Sequence, residues 1–176
     1  MKRALCLAAV ALLVLCVIPN SRAADEKKLS SKDQKFIENA TTGGQMEVDL
    51  GKLAADKASS DDVKKFGQQM ADDHSKANDE LKQLASQKGV DLTKALDTAS
   101  KKTQKMSDKL GKESGDAFDK AYMSAMVKDH EKDVKEFEEA SKGADDADVK
   151  AWAEKTLPTL QKHLDMAKDI DGKLKK

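Results

Sequence analysis

Apolar residues recur along the chain with the spacing of one helix face, four and then three residues apart. In the first such segment the repeated positions are Phe36, Ala40, Gly43, Glu47, Leu50 and Ala54. The pattern predicts four long amphipathic helices, at 31–58, 60–88, 116–142 and 146–172. A capping box at Ser31 and Gln34 predicts the start of the first helix. The last helix is predicted to start at Asp145 or Asp148.

The stretch 90–114 keeps only a weak helical period and predicts a helical crossover with loop ends, more mobile than its neighbours. Short turns join the first helix to the second and the third to the fourth, so each pair is expected to be antiparallel. Residues 31–172 therefore predict an all-α domain, a four-helix bundle with a long helical crossover between helices 2 and 3. A ferritin-like topology is the candidate, and an extended array of helical hairpins is the alternative.

Two features interrupt the helical pattern. Gly43 and Gly44 lie inside the first helix, where glycine is unfavourable. They indicate either a kink or the close approach of a neighbouring helix. Pro158 lies inside the last helix, and it is predicted to kink that helix one turn before His163.

The first 23 residues have a basic start, an apolar run at 4–18 and a small-residue ending. They predict a secretory signal peptide at 1–23, followed by a disordered N-terminus at 24–30. A leader retained as an anchor is the alternative. We expect an exported protein without strong membrane association after cleavage of the leader.

Loss of this leader would remove both cysteines, so neither a disulfide nor a thiolate ligand is expected. It would also remove Lys2 and both arginines, Arg3 and Arg22, which leaves 29 basic residues against 32 acidic ones. A mildly acidic surface without arginine argues against nucleic acid and anionic membranes as partners. The sequence is compatible with a homo-oligomer, and it contains no motif that indicates a particular protein partner.

Each of the three histidines lies on an apolar helix face. His74 and His130 each follow a methionine by four residues, Met70 and Met126. With Glu47, the three histidines lie near the midpoints of the four predicted helices. They are therefore expected to meet in one layer of the bundle core.

Three imidazoles and a carboxylate predict a site for one transition-metal ion, Zn, Mn, Fe or Cu, and nearby methionines would favour copper. Asp73 and Asp129 are candidates to accept hydrogen bonds from histidines on adjacent helices, and Tyr122 could reach the same layer. The alternative is that the histidines are core residues that only fix helix packing. Phosphate loops, nucleophile elbows and zinc-protease motifs are absent from the sequence, which favours a non-enzymatic role over an enzymatic one.

Several spaced motifs resemble those of the bacterial domain-of-unknown-function family 4142. They are Gly43-Gly44-x-x-Glu47, the segment from Val63 to His74, Phe118-Asp-x-x-Tyr122, Asp129-His130, and Leu157-Pro-x-Leu-x-x-His163. The resemblance covers 36–167 and implies a ferritin-like fold and export to the periplasm or outer envelope. The family has no established activity, so no reaction is implied.

Ferritin-like di-iron enzymes carry Glu-x-x-His pairs on two helices. Here Ala71, Val127 and Leu160 stand three residues before the histidines. That difference favours one metal ion, or none, over a di-iron centre. The sequence thus predicts an exported protein for envelope metal handling or stress protection. The alternative is a non-catalytic periplasmic structural or stress protein, and a mononuclear redox enzyme is a third.

Overall fold

The computed structural model describes residues 29–176, and within this range the chain forms helices and no strands. The five helices are α1 (Ser31–Lys57), α2 (Asp61–Gln87), α3 (Thr93–Leu110), α4 (Gly115–Gly143) and α5 (Ala147–Leu174). The predicted all-α helical bundle is confirmed, with the four long helices ending within two residues of the predicted positions. The predicted signal peptide at 1–23, and the predicted disordered N-terminus up to residue 28, lie outside the described residues.

Two helical hairpins form the bundle, α1 with α2 and α4 with α5. They also meet through contacts of α2 with α5 and of α1 with α4. The predicted crossover is α3, which packs mainly on α1 and only slightly on α4. Its buried residues are Ala95, Ala99 and Leu110, whereas Leu96 is 36% exposed. A cleft therefore remains between α1, α3 and α4. None of the helices within residues 29–176 has the length and apolar character needed to cross a bilayer.

The helix starts differ from prediction in their capping residues. The N-cap of α1 is Ser30 and not Ser31, because Ser30 Oγ accepts a hydrogen bond from Asp33 N at 3.2 Å. The N-cap of α5 is Asp146, which lies between the two predicted candidates and accepts from the backbone of Asp148 and Val149. Capping is decided by backbone conformation as well as residue type, and neighbouring Ser or Asp residues look alike in sequence.

Two buried aspartates cap helices other than their own. Asp119 of α4 accepts hydrogen bonds from the backbone N–H groups of Ser59 and Ser60, at the start of α2, at 3.0 and 2.7 Å. Asp33 of α1 does the same for Asp145 and Asp146, at the start of α5, at 3.1 and 2.8 Å. Each carboxylate satisfies free N–H groups and faces the positive end of a helix dipole. The two hairpins are thus joined at both ends of the bundle.

Helix α1 is unbroken at Gly43 and Gly44, and the second of these allows a close approach. A Cβ atom at Gly44 would overlap the side chain of Asn78 on α2. Further along α1, a Cβ at Gly51 would lie 2.6 Å from the carbonyl oxygen of Gly67. The close-approach interpretation is therefore the correct one for Gly44. Helix α5 likewise continues through Pro158 and does not end there.

The core has two apolar clusters, one toward each end of the bundle. The Tyr122 cluster includes Leu50, Phe66, Met70, Phe118, Tyr122, Met123, Met126 and Ile170. The Trp152 cluster includes Phe36, Ile37, Leu81, Leu84, Phe137, Val149, Trp152 and Leu160. The polar layer predicted from the sequence lies between the two clusters. Each long helix contributes one buried polar residue to it, and along the helix that residue separates the members of one cluster from those of the other. These residues are Glu47, His74, His130 and His163.

Candidate metal centre

Four buried polar residues meet between the two apolar clusters, one from each long helix. Glu47 comes from α1, His74 from α2, His130 from α4 and His163 from α5. None is more than 5% exposed. The centroids of the three imidazole rings lie 5.3 to 5.7 Å apart. One nitrogen from each ring lies within 4.8 Å of one nitrogen from each of the others, so the three rings could hold a metal ion.

One nitrogen of each histidine, here called its outer nitrogen, contacts a polar group that does not belong to the three rings. His74 Nδ1 lies 3.1 Å from Glu47 Oε2. His130 Nδ1 donates to the backbone carbonyl of Met126 at 3.0 Å, and His163 Nε2 donates to Asp73 Oδ2 at 3.1 Å. A carbonyl and a carboxylate only accept, so the rings of His130 and His163 carry their protons on these outer nitrogens.

The remaining nitrogen of each ring has no hydrogen-bond partner. These atoms are His74 Nε2, His130 Nε2 and His163 Nδ1, and all three are buried. With a proton held on the outer nitrogen, each of these atoms presents a lone pair. Three lone pairs in one buried layer form a donor set suited to a transition-metal ion.

Burial of the layer favours neutral imidazoles. Burial, with the nearby rings of His130 and His163, lowers the pKa of His74. Burial also lowers the pKa of His130 to about 4, and it lowers that of His163 against the opposing effect of Asp73. A neutral imidazole is the form that binds metals, so these rings can bind an ion near neutral pH without first losing a proton.

Glu47 lies in the layer but is not grouped with the three free nitrogens. Its two carboxylate oxygens face the Nδ1 atoms of His74 and His130, at 3.1 and 3.4 Å, and the Nε2 atoms of these rings have no hydrogen-bond partner. Burial raises the pKa of Glu47, and the carboxylates of Asp133 and Asp129 raise it further. In this geometry Glu47 contacts two of the imidazole rings. The group of residues whose ligand atoms lie within 4.8 Å of one another consists of the three histidines.

The other residues singled out from the sequence take different positions. Asp73 contacts His163 on the adjacent helix, whereas Asp129 lines the cleft beside α3 and its buried Oδ2 has no partner. The Tyr122 hydroxyl is buried and unpartnered, and burial with the charge of Glu47 raises the pKa of Tyr122. Met70 and Met126 are fully buried in the Tyr122 cluster.

Asp133 is the residue near the layer that sequence reasoning missed. Burial raises the pKa of Asp133 to about 6, and its carboxyl group interacts with Glu47. Its charged neighbours in the sequence suggest a solvated helix face. The available signal was its position three residues after His130, which places it on nearly the same side of α4.

The chain was compared with known proteins. Neither the search of curated proteins nor the search of solved structures found a match. A family model described as "Domain of unknown function (DUF4142)" matches residues 19–170. That match covers most of the chain and includes all three histidines and Glu47. The chain therefore belongs to the DUF4142 family.

Proposed function

We propose that the bundle binds a single transition-metal ion through His74 Nε2, His130 Nε2 and His163 Nδ1. The observation that carries this proposal is the set of three buried ring nitrogens without hydrogen-bond partners, all in one layer. A buried polar atom left unsatisfied costs about 1–3 kcal/mol. One ion would satisfy all three atoms at once.

The outer contacts of the rings support the same proposal. Metal-binding histidines commonly donate their second N–H to a carboxylate or a backbone carbonyl, which fixes the ring orientation. Asp73, the Met126 carbonyl and Glu47 stand in these positions. A bound cation would also stabilise the ionised form of Glu47, whose carboxylate could then accept a hydrogen bond from the N–H group at His74 Nδ1.

A three-nitrogen set leaves a fourth coordination position for an exogenous ligand. Zn(II), Cu(II), Mn(II) and Fe(II) are all compatible with imidazole ligands. Because the three rings are at most 5% exposed, the site suits holding an ion better than turning over a substrate. We infer a role in metal handling or stress protection, in the periplasm or outer envelope if the predicted leader at 1–23 exports the chain.

Metal analysis of the chain from Ala24 onward, purified without chelator, tests the proposal. We expect about one equivalent of a transition metal, and a thermal transition that a strong chelator lowers. The triple variant His74→Leu, His130→Leu, His163→Leu should lose the metal. The control Thr41→Val, which alters a buried hydroxyl bonded only within α1, should keep it.

The opposite result would be a chain that purifies without metal and whose melting is unchanged by added Cu, Zn, Mn or Fe. The three histidines would then only fix helix packing, and the proposal would fail.

A further inference from the structure

A second candidate site lies in the cleft that α3 forms with α1 and α4. Its volume is about 420 Å³, within the range of small-molecule sites, which runs from roughly 300 to 1,000 Å³. The lining carries four lysines, Lys102, Lys105 and Lys109 of α3 and Lys132 of α4, and two aspartates, Asp129 and Asp133 of α4. This cleft lies beside the histidine layer, and none of the four residues of that layer lines it.

One carboxylate oxygen of Asp129 lacks a donor, and three of the lysines lack acceptors. Asp129 Oδ2 is buried without a hydrogen-bond partner. Among residues 29–176, Lys102, Lys105 and Lys109 form no ion pair within 4.0 Å. The α3 lysines follow a spacing of three and then four residues, so they share one helix face. The cleft thus offers carboxylates and a larger number of free ammonium groups.

Gly43 keeps part of the cleft open. A Cβ atom at Gly43 would have only Asp133 Oδ2 within 4 Å, at 3.9 Å, so helix packing does not require a glycine here. Gly44, the next residue, does meet a neighbouring side chain. A glycine inside a helix is less favourable than an alanine. Because packing does not require a glycine at position 43, the structural consequence of this residue is the open space that it leaves in the cleft. Met46 and Met106 supply apolar lining beside it.

We propose that this cleft binds a free, small organic molecule that carries one ammonium group and two carboxylates, the chemistry of an acidic α-amino acid. The ammonium group donates to Asp129 and Asp133, and the carboxylates accept from the lysines. The methylene groups of the ligand rest on Met46 and Met106. The second carboxylate matches the excess of lysines over aspartates.

Isothermal titration calorimetry of the chain from Ala24 onward with three probes tests this chemistry. L-Glutamate has all three charged groups, glutarate lacks only the ammonium group, and 4-aminobutyrate lacks only the α-carboxylate. We expect saturable binding of glutamate and at least about tenfold weaker binding of each of the other two, because each loses a charge-assisted hydrogen bond. An absence of saturable glutamate binding, or glutarate binding as tightly as glutamate, would overturn the proposal.

Matched variants place the binding in the cleft. Gly43→Leu fills the space, and Gly172→Leu on α5 is its control because a Cβ there meets nothing within 4 Å. Lys102→Ala with Lys105→Ala removes exposed charges from the lining, and exposed Lys101→Ala, on the same helix outside the lining, is the control. We expect both cleft variants to weaken glutamate binding at least about tenfold and both controls to keep it. Unchanged binding in the cleft variants would overturn the proposal.

Discussion

The two apolar clusters and the polar layer between them all contain residues of the four long helices but depend on different properties of their side chains. In the Trp152 cluster, the rings of Phe36, Phe137 and Trp152 lie with centroids 5.0 to 5.9 Å apart, and burial of apolar surface drives their packing. In the polar layer, burial is unfavourable unless each nitrogen and oxygen finds a partner. The clusters can therefore hold the fold, while the layer requires defined atomic contacts.

Truncating a cluster residue should have the largest effect on stability. Phe66 is buried in the Tyr122 cluster and packs edge-on against Tyr122. We expect Phe66→Ala to lower the free energy of unfolding by about 3–5 kcal/mol, because it removes apolar contacts and leaves a cavity. Urea unfolding followed by circular dichroism measures this. A loss below about 1 kcal/mol, the size expected of a surface change, would contradict the view that the apolar clusters hold the fold.

Zinc should stabilise the protein through the layer alone. At a free Zn²⁺ concentration one hundred times the dissociation constant, the free energy of unfolding should rise by about 2.7 kcal/mol. The triple variant His74→Leu, His130→Leu, His163→Leu should show no such gain, although its clusters remain intact. Urea unfolding with and without the ion measures the difference. An equal gain in the variant would place the ion elsewhere.

Adding one methyl group to α1 should change the stability in opposite directions at a tightly packed position and at an open one. We expect Gly51→Ala to destabilise the protein by about 1–3 kcal/mol, because its Cβ would press on the backbone of Gly67. Gly43→Ala, in the same helix, should stabilise it by up to about 1 kcal/mol, because alanine favours the helix and the space is open. Thermal melts of the two variants decide this, and a melting order of Gly51→Ala above Gly43→Ala would contradict the packing described.

Removing the carboxylate behind one imidazole should have the smallest effect. Asp73→Asn should weaken metal binding about tenfold, because Asp73 orients His163 and increases its basicity. Asp72→Asn is the control, since Asp72 is exposed and bonded to Gln68 within its own helix. Competition with a chromophoric chelator measures both affinities. Equal affinities for the two variants would mean that Asp73 does not support the site.

The sequence predicted the helices and the polar layer because both follow from periodicity. Apolar spacing identified the faces that became buried, and one polar residue near each helix midpoint predicted the meeting of Glu47, His74, His130 and His163. Periodicity gives the face of a residue but not the rotation of its ring. It therefore could not tell that Glu47 would lie against the Nδ1 atoms of His74 and His130.

Contacts between distant segments were also beyond sequence reasoning. The caps that Asp33 and Asp119 provide join residues about 110 and 60 positions apart. Asp33 has the sequence context of the many surface aspartates of the chain, and the motif Phe118-Asp-x-x-Tyr122 that contains Asp119 does not indicate which backbone groups Asp119 caps. The cleft beside α3 likewise depends on how far the crossover helix stands from α4, a distance that local propensity does not encode.

X-ray absorption spectroscopy of the zinc-loaded protein tests the central claim most directly, because it reports the atoms bound to the ion. The structure predicts three imidazole nitrogens at about 2.0–2.1 Å, with an additional light atom from an exogenous ligand. The triple histidine variant should give no protein-bound signal under the same loading. A coordination shell dominated by carboxylate oxygen, or one that persists in the variant, would contradict a metal centre formed by His74, His130 and His163.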